Sequence, residues 1–302
     1  MRNNTALRAV RYYLAIVILL GAHGTALAQV DSSPGEKSFV WSVRGGSNTV
    51  YILGSLHLLS KESYPLGKAY EDAFQNSEVV VFEVDPGELE KPETIRMVLS
   101  KAALENGKTL EETVSPETYR LAKEKLKDAG VDIQMFSKTK PWFVAVTVAV
   151  LKLSQMGFQP EEGVDRYFYN KAKEGQKGVM GLETAEFQID LIASIGGDTE
   201  DDILLHTLKD LDVMEAEMKS LVGSWKQGDV GEFKKVILKS YWEYPRVYDE
   251  LIAARNKNWL PHIEKYLGGD KNYLVVVGAG HLVGPDGLIN MLTQKGYKVE
   301  QM

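Results

Sequence analysis

Two of the chain's five histidines, His57 and His281, sit in the same local pattern. Residues 51–58 read Y-I-L-G-S-L-H-L and residues 275–282 read V-V-V-G-A-G-H-L. Each copy is an apolar run, a glycine, two small or apolar residues and then His-Leu, and each is followed by Pro-x-Gly, at Pro65–Gly67 and Pro285–Gly287. A glycine at a strand exit permits a sharp turn through positive φ and a close backbone approach, and it aims the side chain three residues on at the space beyond the sheet edge. Glu83 follows the apolar run Val79–Phe82, and Glu183 sits at the exit of a shorter one at Val179–Leu182. Open α/β sheets bind ligands outside the carboxyl ends of their strands. If these strands are parallel neighbours, His57, Glu83, Glu183 and His281 meet on one rim. Two imidazoles with one or two carboxylates make a ligand set for Mn, Fe, Co or Zn that leaves positions open for water and substrate. Such an ion brings the pKa of a bound water toward neutrality, with the spare carboxylate as general base.

Each residue also has an ordinary reading. A lone histidine after a strand is commonly a hydrogen-bonding residue, Glu83 a solvated strand end, and Glu183 a carboxylate that favours a helix N-terminus. Asp85 shares a strand face with Glu83, yet Pro86-Gly87 after it is turn chemistry. Arg255 lies four residues after Leu251 and four before Trp259, on a helix whose apolar stripe also holds Tyr248 and Ile252, so its guanidinium points inward or along the core rim. It reads either as a forked donor to a substrate carbonyl, carboxylate or oxyanion, or as the partner of an acidic residue across the core. Asn256 is a weaker candidate and Trp259 reads as packing. His206 and His262 lack ligand spacing. The stretch G-A-G-H-L-V-G is no dinucleotide fingerprint, because too little chain follows it for a βαβ unit.

The elements that must position these residues follow from the pattern. Phe39–Val43 and Thr49–Leu53, separated by R-G-G-S-N, predict a β-hairpin. A helix is expected from Lys68 to Asn76, and four consecutive bulky residues before Glu83 suggest a strand covered on both faces. Ser115-Pro116 opens a helix to Ala129, and Pro141 opens a helix that is apolar nearly all round and ends before Gly157. Asp198-Thr199 starts a longer amphipathic helix to Leu221, and another runs from Val247 to Trp259 with a bend at Pro261. Strand Tyr273–Val277, helix Leu288–Lys295 and an edge strand at Tyr297–Gln301 complete the chain. The expected fold is α/β, a mixed, largely parallel sheet flanked by helices, with a mostly helical middle region.

Residues 1–28 are basic, then apolar, then Ala-Leu-Ala, which is a secretory signal, and the apolar run falls short of the roughly 20 residues that span a bilayer. Cleavage after Ala28 removes Arg2, Arg8, Arg11 and no acidic residue, so the net charge moves from −7 to −10. An acidic, exported chain is a poor fit to nucleic acid, which needs a basic face. There is no cysteine, which excludes disulfides, thiol catalysis and iron–sulfur clusters. No linker or low-complexity tract divides residues 29–302, which read as one elaborated domain, periplasmic or secreted, with no stable membrane span after cleavage.

W-S-V-R at Trp41, Y-I-L-G-S-L-H-L-L at Tyr51, V-V-F-E-V-D at Val80, G-L-E-T at Gly181, A-R-N-x-x-W at Ala254 and V-G-A-G-H-L-V-G-P-D-G-L at Val277 together resemble the TraB/GumN family. That family is similar at greater distance to the Tiki metalloproteases, the erythromycin esterases and the ChaN-like haem-binding proteins. The resemblance implies a divalent metal (Mn, Co or Zn) held by His57, His281 and Glu83, with Glu183 and Arg255 in pocket positions. The leading expectation is a metal-dependent hydrolase of peptide or protein substrates, in which metal-activated water attacks, a carboxylate takes its proton and Arg255 stabilises the oxyanion. The alternative is a non-catalytic envelope binder of haem or a peptide signal, or an accessory of polysaccharide export.

Overall fold

The computed structural model describes residues 37–195, 200–243 and 245–302, so the leader-like segment lies outside the described residues. Strands β1 (Val40–Arg44) and β2 (Thr49–Ser55) form the expected antiparallel hairpin. Asn48 pins its turn, donating to the carbonyls of Tyr266 at 2.8 Å and Lys271 at 2.6 Å. With β3 (Val79–Phe82), β4 (Gly178–Gly181), β5 (Tyr273–Gly278) and β6 (Val299–Gln301) these make a six-stranded sheet of order β4-β3-β5-β2-β1-β6. The pairs β2 with β5, β5 with β3 and β3 with β4 are parallel, and β1 is antiparallel to both β2 and β6. The sheet is therefore mixed and largely parallel, and its central strand β5 is fully buried from Leu274 to Val277, as expected for a strand covered on both faces.

Both Pro-x-Gly repeats do the same local work: Gly67 caps the helix Lys68–Gln75 and Gly287 caps the helix Leu288–Gln294. The Ser115 hydroxyl accepts from the Thr118 amide and opens Pro116–Asp128, satisfying one of the orphan donors of a first turn. Pro141–Gln155 is the buried helix its composition predicts. Three further helices, Pro92–Ala102, Val164–Glu174 and Val230–Glu243, were not delimited by sequence pattern.

Three expectations need correction. The long helix to Leu221 is instead two, Glu200–Asp210 and Met214–Lys226. The chain turns between them because Leu211 is buried while Asp212 reaches out to Lys125 at 2.8 Å, and the Val213 amide donates to the Asp210 carbonyl. Asp198 and Thr199 lie outside the described residues. The helix expected to reach Trp259 runs on as Ala254–Leu267, entered through a π-helical turn at Asp249–Ala253, with Pro261 inside it. Burial of Ile263, Tyr266 and Leu267 beyond the proline outweighs its lost backbone donor. Finally, Gly54 lies in extended β2, and Gly278 has φ −50° and ψ 134°, so neither turns through positive φ. What Gly54 provides is close approach. A Cβ there would lie 3.0 Å from the Ala279 Cα and from side-chain atoms of Leu282 and Phe39. Its carbonyl also accepts from the Trp225 indole at 2.7 Å.

Among the described residues no helix is long and apolar enough to cross a membrane. Gly54→Ala is expected to lower stability by about 1–3 kcal/mol through overpacking; an unchanged urea midpoint would show that the contact with Ala279 is not tight.

Candidate functional site

The sheet order sets the site order. Ser55 of β2 lies opposite Gly278 of β5, and Phe82 of β3 lies opposite Val276 of β5 and Gly181 of β4. Pairing extends past β3 and β4, where the Leu182 and Glu183 amides donate to the carbonyls of Phe82 and Glu83 at 2.9 and 2.8 Å. Glu183, Glu83, His281 and His57 thus leave the carboxyl ends of β4, β3, β5 and β2, four adjacent parallel strands, and the predicted rim is formed.

Arg255 enters this rim from the opposite side, and all its N–H groups are engaged. Nε lies 3.1 Å from both oxygens of Glu183, Nη2 donates to Glu83 at 2.6 Å and to Glu183 at 2.8 Å, and Nη1 donates to the Leu251 carbonyl at 3.1 Å and to His281 Nε2 at 3.0 Å. The residue is 1% exposed, and its guanidinium lies 4.6 Å from the centre of the Trp259 ring. Of the two readings of Arg255, the structure shows the partner of acidic residues across the core. In this arrangement no N–H is left over for a substrate oxyanion. Burial works against ionising Glu83, but Arg255, His281, His57 and the Gly278 amide, which donates at 2.7 Å, hold its carboxyl well below the usual range.

The two histidines share a motif and differ in state. His281 is fully buried, and its Nδ1 lies 2.7 Å from Asn256 Oδ1. The Asn256 amide nitrogen donates to the carbonyls of His281 and Asp286 at 2.9 and 2.7 Å. That orients its oxygen toward the ring, so Nδ1 carries the imidazole proton and Nε2 presents a lone pair. Burial, with Arg255 and His57 nearby, pushes the His281 pKa down to about 3 despite the pull of Glu83. His57 donates from Nδ1 to Asp165 at 2.8 Å, and the other Asp165 oxygen accepts from the Ser55 hydroxyl at 2.9 Å. Burial alone would lower the His57 pKa; the charge and hydrogen bond of Asp165, with Glu83, raise it to about 9. Trp259 packs on His281 with ring centres 4.4 Å apart.

Sequence reasoning missed Asp165 and undervalued Asn256. Asp165 stands in the first turn of Val164–Glu174, where an acidic residue ordinarily reads as favouring the helix N-terminus. Its approach to His57 depends on a clasp that no motif reports. The Val164 amide donates to the Leu56 carbonyl at 3.0 Å, and a Cβ on Gly163 would lie 2.2 Å from the His57 carbonyl oxygen. Asp85 takes its turn reading, accepting from the Gly87 amide at 2.8 Å.

A cavity of about 380 Å³ opens over His57, Glu83, Asp165 and Gln188. Glu183, Arg255 and His281 are not part of its lining. Gln188 bridges the two groups, its amide nitrogen lying 3.2 Å from both Glu83 and Glu183.

As they stand, no three His, Asp or Glu among the described residues form a group that could hold a metal ion. The donor chemistry nevertheless fits one. His57 Nε2 and His281 Nε2 lie 3.9 and 3.8 Å from the same atom, Glu83 Oε1, and each ring holds an oxygen acceptor at its Nδ1. Metal-ligating histidines are oriented in this way by their outer partners. The guanidinium on His281 Nε2 and the proton on His57 are what an incoming cation would displace.

A model of the TraB/PrgY/gumN family matches residues 39–301. The chain is 26% identical over 250 residues to an Escherichia coli K12 protein, YbaP, described as uncharacterized, covering 82% of this chain and 89% of that one. It is 21% identical over 277 residues to an uncharacterized protein of Treponema pallidum strain Nichols, covering 86% of this chain and 81% of that one. No solved structure matches significantly.

Because the folded-state pKa of His57 lies above the ordinary value, the stability it contributes is complete below pH 6.5 and is lost as the pH rises through about 9. The loss is expected to be on the order of 2–3 kcal/mol and to vanish in Asp165→Asn. Urea unfolding at pH 6, 7.5 and 9 measures it, and equal pH slopes in the two proteins would show that Asp165 does not hold the proton.

Proposed function

The chain belongs to the TraB/PrgY/gumN family, and on that premise we propose that it is a metal-dependent hydrolase acting on a peptide or protein substrate. The observation that carries the reading is the convergence of two imidazole Nε2 atoms on one carboxylate oxygen of Glu83, within 3.9 Å, with both Nδ1 atoms held by oxygen acceptors. His57, His281 and Glu83 would hold a divalent Mn, Co or Zn ion, a donor set suited to these metals. When bound, such an ion supplies Lewis acidity, which activates water and polarises a carbonyl.

The rest of the work falls to the chain's own residues. Asp165 and Asn256 fix the two rings and their tautomers. Arg255 keeps Glu83 ionised and aimed, and for His281 Nε2 to serve as a ligand the guanidinium would have to give up its contact with that nitrogen. Glu183 acts through the guanidinium it anchors and through Gln188, since it does not line the cavity. Phe82, Val84 and Leu89 give the cavity an apolar wall beside the rim. The basic, then apolar, then Ala-Leu-Ala start of the chain supports export as part of the same reading.

Protein purified without a histidine tag is expected to carry Mn, Co or Zn by elemental analysis and to cut members of a mixed peptide library, with cleavage abolished by chelator. His57→Ala and His281→Ala lose both metal and turnover, while Asp165→Asn and Asn256→Leu weaken metal binding by roughly 10–100-fold. Intact turnover in either alanine variant rejects the proposal.

A further inference from the structure

The sheet ends on two edge strands, and their sequences treat the edge differently. β6 carries Glu300 with Lys298 beside it, an exposed pair at 2.6 Å. Charges of this kind discourage another strand from adding to an edge. β4, at the other edge, reads Gly178-Val179-Met180-Gly181 and has neither charge nor proline. The charged residues that flank it are turned away: Lys177 reaches back to the carbonyls of Ser77 and Gln75, and Glu183 is held by Arg255. Gly178, Met180 and Gly181 are exposed. The main chain of β4 is only half satisfied. The Gly178 amide donates to the Glu78 carbonyl at 3.3 Å and the Leu182 amide to the Phe82 carbonyl at 2.9 Å, so the even-numbered residues bond to β3. Alternate residues of a strand turn their N–H and C=O groups to opposite sides. Those of Val179 and Gly181 therefore face outward, where no described residue bonds to them.

We infer that β4 is a docking strand: an extended segment of a peptide or protein adds to the sheet outside it and exchanges main-chain hydrogen bonds with Val179 and Gly181. Outward donors and acceptors that recur at every second residue are matched by another extended main chain, whose own groups repeat at the same interval. Met180, 43% exposed, offers that segment an adaptable apolar contact. β4 leads directly into Glu183 at the rim and into the helix Ala185–Ile195, whose Gln188 lines the cavity. The docked segment is thereby brought up to the candidate site. The inference rests on the peptide-substrate reading for what the segment belongs to, and adds how that substrate is held. A second copy of this chain suits the edge less well, since each copy carries a net charge of −7 and the two would repel.

The test reads the main chain itself. The full chain, with chelator present, is mixed with an excess of short capped peptides of mixed sequence, and amide hydrogen exchange is followed residue by residue. The Val179 and Gly181 amides are expected to slow at least about tenfold, while Gly178 and Met180, already bonded to β3, keep their rates. The same peptides N-methylated at every residue are expected to protect neither. Val179→Pro removes one outward N–H at a position where an edge strand tolerates proline; it is expected to weaken peptide binding at least about tenfold with an unchanged thermal melt. Unprotected Val179 and Gly181 amides, or equal protection by the N-methylated peptides, overturn the inference. Protection that needs no peptide and grows with protein concentration assigns the edge to a second copy and overturns it too. With metal restored, peptides left whole while these amides stay protected overturn the hydrolase reading alone, and cleavage unaffected by Val179→Pro overturns the docking inference alone.

Discussion

One guanidinium holds two carboxylates at the buried end of a parallel sheet, and the arrangement of the rim depends on it. Glu83 and Glu183 leave neighbouring strands, so the sheet itself forces their charges together. Without a cation between them, one would have to protonate or turn away. Arg255 supplies that cation from a helix on the far side of the site, and every donor of its planar fork finds an acceptor. Breaking such a buried cluster by removing one partner costs about 3–5 kcal/mol. The residue that looks like a catalytic donor in isolation is thus spent on organising the carboxylates.

The same cation divides two histidines that a repeated motif makes look equivalent. His281 faces the guanidinium on one side and a neutral amide on the other, and stays uncharged. His57 faces a carboxylate and holds its proton. The difference is made by second partners, Asn256 and Asp165, that lie far from either motif in sequence. Any cation that takes both Nε2 atoms therefore meets two distinct obstacles, a guanidinium at one ring and a proton at the other, and the second makes its affinity depend on pH.

Much of the site was legible because strand order turns sequence motifs into neighbours. The apolar runs before Gly54, Glu83, Glu183 and Gly278 announce strands, and a residue just past a strand end in an open sheet is already in the right place. Arg255 was legible as an inward residue from its spacing to Leu251 and Trp259, but its role was not, since spacing on a helix says nothing of what waits across the core. Asp165 was hidden for the opposite reason. Its local signal, an acidic first turn, has a sufficient cause in the helix dipole, and its approach to His57 is fixed by the absence of a side chain at Gly163. The break at 211–213 lacks glycine and proline, so no local rule marks it. Pro261 carries the usual breaker signal, and packing overrides it.

Strand β5 (Tyr273–Gly278) lies between β2 (Thr49–Ser55) and β3 (Val79–Phe82) although it comes far later in the chain than either. Without it, the pairs β4 with β3 and β2 with β1 share no hydrogen-bonded edge, since β5 alone joins β3 to β2. The same late strand brings His281. The central strand of the sheet and His281 therefore come in one stretch of chain, and a protein cut short before Tyr273 would lack both.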